Sequence, residues 1–175
     1  MIRECGSRSV VSDVLIGEAD IGLAMLPLED DEQVETYPVS QDQIHVVVRK
    51  GHLLANMEKV PIAMLKDMDI ITLGRANMMY FRFMEMCRES GFTPKVGIQS
   101  MMSQFLLDVI ADSDSVGILP APMLRQFPKE ELVSIPLEPE MPWEIALIVK
   151  KDRYLSRSAE KFLSFVQDYW KQQEV

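Results

Sequence analysis

Helix-like and strand-like patterns alternate along most of the chain, and this alternation limits the possible folds more than any other feature. Apolar residues at helical spacing predict helices at 7–16, 61–66, 77–90, around 105–110, at 121–127 and around 162–169. Runs of β-branched and other apolar residues predict strands at 21–26, 34–39, 44–50, 69–73, 95–99, 115–120, 132–137 and 143–151. Such alternation is typical of an α/β protein with helices on both faces of a mainly parallel sheet.

The segment GEADIGLAML, residues 17–26, ends in a strand that is apolar at nearly every position. A strand of this kind is usually buried on both faces. In open α/β sheets, ligands bind beyond the carboxyl ends of the strands. We therefore expect a ligand site near the ends of the strands at 21–26, 70–73, 96–99 and 116–119.

Three helices carry an apolar face that we expect to be buried. These faces are Val10, Val11, Val14 and Leu15 in the first helix, Phe105, Leu106, Val109 and Ile110 in the helix after 95–99, and Phe162, Phe165, Val166 and Tyr169 in the last helix. Ser7 or Ser9 can cap the start of the first helix, and Gly17 suits its end.

The composition is that of an acidic globular protein. The 175 residues carry a formal net charge of −9, so the chain itself should repel DNA phosphates. No apolar run reaches the roughly 18 residues that a membrane span needs. The N-terminal MIRECGSRS lacks the apolar core of a signal peptide, which favours the cytoplasm. Cys5 and Cys87 are far apart in sequence, and we expect both to be buried, reduced thiols, with a disulfide or a redox switch as the alternative.

No metal, cofactor or catalytic motif is recognisable in the sequence. His45 and His52 are seven residues apart, which suits neither a helical zinc pair nor adjacent ligands. The acidic run at 29–32 lacks the ligand spacing of a calcium loop and is expected to be a solvated loop. We therefore expect no catalytic residues, no metal and no cofactor.

Three predicted helix starts carry polar or free backbone groups. They lie at Ser7, at Asn77 and at the segment from Met101 to Ser103. Because helix N-termini present free N–H groups and a partial positive charge, three of them around one site would favour an anion such as a carboxylate. The alternative is that each side chain only caps its own helix, and the two interpretations are compatible.

Four segments, in this order, resemble the effector-binding domain of LysR-type transcriptional regulators. They are GSRSVVSDVLIGEADIGLAML, RKGHLLA, SGFTPKVGIQSMMSQFLLDVIADSDSVGILPAPML and LSRSAEKFLSFVQDYW. The resemblance implies two Rossmann-like lobes, similar to type 2 periplasmic binding proteins, with an effector cleft between them. Lobe I would take residues 1–43 and 141–175, lobe II would take 44–140, and hinge crossings would lie near Gln43 and Glu140.

The resemblance also implies the effector-binding residues. By alignment they are Ser7, Met25, Pro120 and the turn of Ser100, Met101 and Met102, to which the helix starts add Asn77 and Ser103. The family often has a small polar residue where Met102 stands, so either Ser100 or Ser103 takes its place or the pocket is less polar. The helix-turn-helix and the first strand and helix of lobe I are not in this sequence, which begins in what resembles the second strand, MIREC.

The function implied is that of a sensor: a small-molecule effector binds and changes the shape of a homodimer or tetramer. The helix starts favour a carboxylate as this effector. The family pairs its domains through the region near 7–26. DNA would be bound only through the helix-turn-helix, and no membrane would be involved. The alternatives are a solute-binding protein of a transporter and an enzyme on a similar scaffold, but Ser7 has no evident histidine partner for nucleophilic catalysis.

Overall fold

The computed structural model of the protein describes residues 2–28, 31–75 and 77–171, and within them the chain forms two compact units. One unit takes the chain up to Gln41 and from Glu144 onward, and the other takes Asp42–Trp143. Two long strands, β2 (Val34–Arg49) and β7 (Leu132–Lys150), carry the chain from one unit to the other. The lobe boundaries implied by the resemblance stay a prediction.

The remaining elements alternate much as the sequence predicts. The strands are β1 (Gly22–Met25), β3 (Val60–Pro61), β4 (Asp69–Leu73), β5 (Lys95–Ser100) and β6 (Val116–Pro120). The helices are α1 (Ser7–Ile16), α2 (Met78–Glu89), α3 (Ser103–Ala111), α4 (Ala121–Gln126) and α5 (Arg157–Lys171).

In the first unit, α1 packs on one face of the sheet formed by β1 and the end of β7. These strands are antiparallel, with Gly22 opposite Ile148 and Met25 opposite Ile145. The helix ends as predicted at Gly17, whose φ of 85° is the left-handed conformation that favours glycine. The core on this face consists of Val11, Val14, Ala24, Val34 and Ile148. The expected burial of the strand on both faces is wrong at one position, because Leu23 is 55% exposed.

The other face of this unit is covered by α5, but not through the predicted residues. Leu163 packs with Val39 and Leu147, and Val166 and Trp170 are half-buried against this cluster. Phe162, Phe165 and Tyr169 are instead 52%, 66% and 49% exposed. The predicted buried stripe is therefore wrong, except at Val166, because the helix is rotated so that a second apolar stripe faces the sheet.

In the second unit, the strand order is β2, β6, β4, β5. Strand β4 is parallel to both β5 and β6, whereas β2 is antiparallel to β6. The short β3 is parallel to β7. Because β1 pairs with β7 and β2 pairs with β6 in antiparallel fashion, the strand pairing is mixed rather than mainly parallel, which corrects the prediction.

The core of the second unit is formed by strand residues and by the inward faces of α2 and α3. Fully buried members include Ile44, Ile70, Ile71, Phe83, Leu106, Leu107, Ile110, Ile118 and Leu119. In α3 the buried face includes Leu107, whereas Phe105 is 44% exposed. The predicted face of this helix is thus shifted by about one residue position.

Other differences from the sequence predictions are local. The strands predicted at 34–39 and 44–50 form the single strand β2, and those at 132–137 and 143–151 form β7. Residues Ile62–Leu65 form one 3-10 turn rather than an α-helix. Residues 2–6 form no strand, so MIREC is not a second strand here. Residues 29 and 30 of the acidic run lie outside the described residues.

Candidate functional site

The carboxyl ends of three neighbouring strands meet at one edge of the second unit. In the parallel register, Leu73 of β4 lies opposite Ser100 of β5, and Thr72 lies opposite Ile118 of β6. The segments that follow Leu73, Ser100 and Pro120 therefore leave the sheet side by side. These are three of the four strand ends at which the sequence predicts a ligand site, the fourth being the end of β1.

The turns after β4 and β5 come close to one another. A Cβ atom at Gly74 would lie 3.5 Å from Sδ of Met101, so the Met101 side chain lies over the glycine. Met101 and Met102 are 57% and 70% exposed, which leaves a polarisable, adaptable apolar surface beside the strand ends.

Ser100 fixes the turn that leads into α3. Its Oγ accepts a hydrogen bond from the Met102 backbone N–H at 3.1 Å, and its own hydroxyl hydrogen is left to donate elsewhere. Met102 is the N-cap residue of α3 and makes no side-chain cap. The first-turn N–H groups of α3, beginning at half-buried Ser103, therefore lack a side-chain cap from this residue.

Asn77 and Pro120 have structural roles at this edge. Oδ1 of Asn77 accepts from the Met79 backbone N–H at 3.0 Å, so Asn77 caps α2 as predicted. Pro120 is the buried last residue of β6, lies opposite Ile44 and precedes α4. Whether either residue also contacts an effector stays a prediction.

Ser7 and Met25 are brought together in the first unit. The Met25 backbone N–H donates to Oγ of Ser7 at 3.1 Å, and the Met25 side chain is only 3% exposed. The predicted cap is wrong, because Gly6 is the N-cap residue of α1 and makes no side-chain bond. Instead, the Ser7 hydroxyl ties the start of α1 to the carboxyl end of β1.

Arg75 is a cation at this edge that the sequence patterns do not predict as a site residue. It follows Gly74 at the end of β4, is exposed, and its Cζ lies 5.8 Å from the centroid of the Tyr80 ring. A cation–π contact of this kind restrains the guanidinium without neutralising it. The only sequence signal is an arginine two residues after the end of a predicted strand, and no motif singles out such a residue.

A serine and a histidine lie within hydrogen-bond distance in the second unit. Nδ1 of His45 is 2.8 Å from Oγ of Ser134. Burial lowers the pKa of His45 below its ordinary 6.5, Asp42 partly opposes this, and Arg125 lowers it further. In a Ser-His-Asp triad Nδ1 of the histidine binds the carboxylate, whereas Nδ1 of His45 is next to Ser134, so this pair does not have the arrangement of a triad.

The second histidine is engaged within its own loop. Nδ1 of His52 accepts from the Leu54 backbone N–H at 3.2 Å, an interaction that requires this nitrogen to be unprotonated. Burial lowers the pKa of His52, the Asp114 carboxylate opposes this, and Arg49 lowers it further.

Neither metal binding nor disulfide chemistry is indicated by the cysteines. Both are free thiols, but Cys5 is exposed, which corrects the expectation that both are buried. Burial raises the pKa of the Cys87 thiol to about 12.

Within the described ranges, no group of three or more histidine, cysteine or carboxylate side chains is placed to hold a metal. No helix of the described chain has both the length and the apolar character to cross a membrane.

The fold of the protein is similar to that of effector-binding domains built from two α/β lobes. The effector-binding domain of QuiR in complex with shikimate superimposes with a TM-score of 0.78 and 18% identity, covering 95% of this chain and 79% of that one. The BenM effector-binding domain with benzoate also gives a TM-score of 0.78 at 18% identity, covering 98% and 78%. The predicted class, α/β lobes of the type 2 periplasmic binding protein kind, is confirmed.

The family follows from the sequence itself. The LysR substrate binding domain model matches residues 2–171. The chain is also 30% identical, over 167 residues, to the HTH-type transcriptional regulator YwbI of Bacillus subtilis strain 168, covering 95% of this chain and 55% of YwbI. This chain belongs to the LysR substrate binding domain family, and it spans about half the length of that relative. A transporter's solute-binding protein is not favoured by these matches.

Proposed function

We propose that this domain senses a small-molecule effector within a LysR-type transcriptional regulator. The observation that carries the proposal is the edge where β4, β5 and β6 end side by side, with Ser100 and Arg75 on neighbouring turns. A hydroxyl able to donate, helix N–H groups and an exposed guanidinium suit an anion. The nearby methionines suit an apolar body.

The ligand class that fits this edge best is a small carboxylate with a partly apolar ring. Arg75 would attract the carboxylate, while Met101 and Met102 would pack against the ring. Two fold neighbours were solved with shikimate and benzoate, and both compounds are carboxylates on six-membered rings. We also propose that five further residues contact the effector or hold its contact residues in place: Ser7, Met25, Asn77, Ser103 and Pro120.

The partners and location follow from the same proposal. DNA would be contacted through a helix-turn-helix outside this sequence, since the relatives are HTH-type regulators and this acidic chain should repel phosphates. A homodimer or tetramer would pair through the region near 7–26. The protein would work in the cytoplasm, where its DNA is. It would bind its effector without converting it, as a domain of this regulator family does.

A thermal-shift series tests the ligand class. Benzoate and shikimate would each be titrated against the domain, with benzamide and benzyl alcohol as neutral analogues of similar shape. A ligand at about 100 times its dissociation constant adds about 2.7 kcal/mol, or about 5–10 °C for a domain of this size. We expect a saturable shift from at least one acid and none from the neutral compounds. Equal shifts from acids and neutral analogues, or none at all, would contradict the proposed carboxylate sensor.

A further inference from the structure

The two most exposed methionines among the described residues are neighbours in sequence. Met101 and Met102 are 57% and 70% exposed, and the next most exposed methionine, Met64, is 40% exposed. The other methionines of the described ranges are half-buried or buried. Both exposed neighbours lie in the turn between β5 and α3. The thioether sulfur atoms most open to solvent are therefore those at the candidate effector edge.

A thioether that is exposed in this way is a target for peroxides. Hydrogen peroxide transfers one oxygen atom to the methionine sulfur: the O–O bond breaks, an S=O bond forms, the sulfur is oxidised and the peroxide is reduced to water. The product, methionine sulfoxide, is polar where the thioether was apolar. The change is reversible, because methionine sulfoxide reductases restore the thioether.

The cysteines do not offer a comparable target at this edge. Cys87 is buried, and burial raises the pKa of its thiol to about 12, so the reactive thiolate is scarce. Cys5 is exposed, but it precedes α1 and belongs to the other unit. A peroxide that acts on the strand-end edge would therefore act through its thioethers.

The surroundings of the two sulfur atoms make this edge sensitive to oxidation. Sδ of Met101 would lie 3.5 Å from a Cβ atom at Gly74, so an added oxygen would need space where two turns meet. Met102 is the N-cap residue of α3 and makes no side-chain cap. A sulfoxide oxygen on Met102 is a hydrogen-bond acceptor, and it could compete with an effector carboxylate for the free N–H groups of the first turn.

This inference rests on the proposed function of the edge as the effector site. An edge that admits and releases a ring-sized acid also admits hydrogen peroxide, which is much smaller. We propose that Met101 and Met102 form an oxidation site through which peroxides lower the affinity of the domain for its acidic effector. An acid that packs against the two side chains should in turn protect their sulfur atoms from oxidation.

Peptide mass mapping of the intact, folded chain during treatment with hydrogen peroxide tests the oxidation site without reference to any effector. We expect sulfoxide to form at Met101 and Met102 before it forms at Met64. Benzoate at about ten times its dissociation constant leaves about a tenth of the domain free and should slow these two oxidations about tenfold, while Met64 reacts at its former rate. Oxidation of Met64 as early as that of the neighbouring pair would overturn the proposal.

Calorimetric titration with benzoate and shikimate, before and after peroxide treatment, tests the effect on binding. The unmodified domain should lose about tenfold in affinity, since a polar sulfoxide replaces an apolar contact, and a sulfoxide reductase should restore the affinity. Met101→Leu/Met102→Leu cannot be oxidised at these positions, so its own affinity should be the same before and after treatment. Met64→Leu is the matched control and should lose affinity on treatment as the unmodified domain does.

The two proposals fail in different ways in this experiment. An untreated domain that gives no saturable heat with benzoate or shikimate contradicts the proposed function, and the regulation with it. An untreated domain that binds one of the acids, and binds it equally well once both sulfoxides have formed, overturns the oxidation proposal alone. A leucine double variant that loses as much affinity on treatment as the unmodified domain also overturns it, because the responsible residue would then lie elsewhere.

Discussion

The hydroxyl oxygen of Ser7 accepts a hydrogen bond from the backbone N–H of Met25 at 3.1 Å. The two residues are 18 positions apart in sequence and join the first residue of α1 to the last residue of β1. The backbone N–H of Leu26, the next residue, donates to Glu144 O on β7. Because successive residues of an antiparallel strand direct their backbone groups to opposite sides, the Met25 N–H points away from β7. The serine therefore satisfies a strand N–H that the sheet does not.

Replacing this serine should destabilise the protein. Ser7→Ala leaves the partly buried Met25 N–H without its acceptor, which we expect to cost about 1–3 kcal/mol. Ser9→Ala is the control, since Ser9 is exposed two positions further along α1. Urea unfolding should give a lower midpoint with an unchanged slope for Ser7→Ala only. Identical midpoints for both variants would mean that the bond contributes nothing.

The packing of α1 on β1 predicts a strong effect at Gly22. A Cβ atom there would lie 2.5 Å from Val10 Cγ1 and 2.9 Å from Ile148 Cγ1. Both neighbours are β-branched and stiff, so we expect Gly22→Ala to cost about 1–3 kcal/mol. At Gly97 of β5, no atom of the described chain, apart from the glycine and its two sequence neighbours, lies within 4 Å of such a Cβ, and Gly97→Ala should be tolerated. Comparison of the two melting temperatures checks this, and equal losses would contradict the packing described.

Stability should fall as the solution is acidified from pH 7.5 to pH 5. Burial lowers the pKa of both His45 and His52 below the ordinary 6.5. The unfolded chain therefore binds protons in this window that the folded chain does not, so the stabilisation present above pH 6.5 is lost as the pH falls. His45→Gln/His52→Gln should show a flatter pH dependence in urea unfolding. A decline as steep as that of the unmodified protein would assign the effect to other groups.

The exposed Met102 provides a test of the effector's charge. Met102→Glu should weaken benzoate binding by about tenfold, since like charges at contact near a protein surface repel by about 1–4 kcal/mol. Met64→Glu is the control, because Met64 is also an exposed methionine, at 40%, but lies in the 3-10 turn after β3. Added salt should reduce the difference between the two variants. Equal affinities would remove Met102 from the proposed site.

The sequence predicted α1 and α2 well because both helices carry their own end signals. Gly17 ends α1 in a left-handed conformation, and Asn77 caps α2 through its side chain. The rotation of α5 could not be predicted, because two overlapping stripes are both apolar at helical spacing. Which of them faces the sheet depends on contacts with Val39 and Leu147, far away in sequence.

The candidate site was predictable in position but not in detail. Strand ends follow from the alternation of elements, and Ser100 lies at such an end. The predicted helix cap by Ser7 is wrong, because the bond of Ser7 to Met25 depends on the packing of α1 beside β1. Arg75 was missed, since a lone arginine after a strand acquires meaning only when the neighbouring turns are known. The pairing of His45 with Ser134 likewise joins residues 89 positions apart.

The central claim is that the effector binds at the strand ends of the second unit. Calorimetric titration of two serine variants tests this claim most directly. The side chains of Ser100 and Ser113 each accept a hydrogen bond from the backbone N–H of the residue two positions later, at 3.1 and 3.2 Å. Ser100 is the last residue of β5, whereas Ser113 lies just before β6 begins. We predict that Ser100→Ala weakens binding of the acid that gives the largest thermal shift by about tenfold, the value of about one hydrogen bond to a charged group. Ser113→Ala should bind that acid as the unmodified protein does. Equal affinities for the two variants, or no saturable heat from benzoate or shikimate, would contradict an acid-binding effector site at this edge.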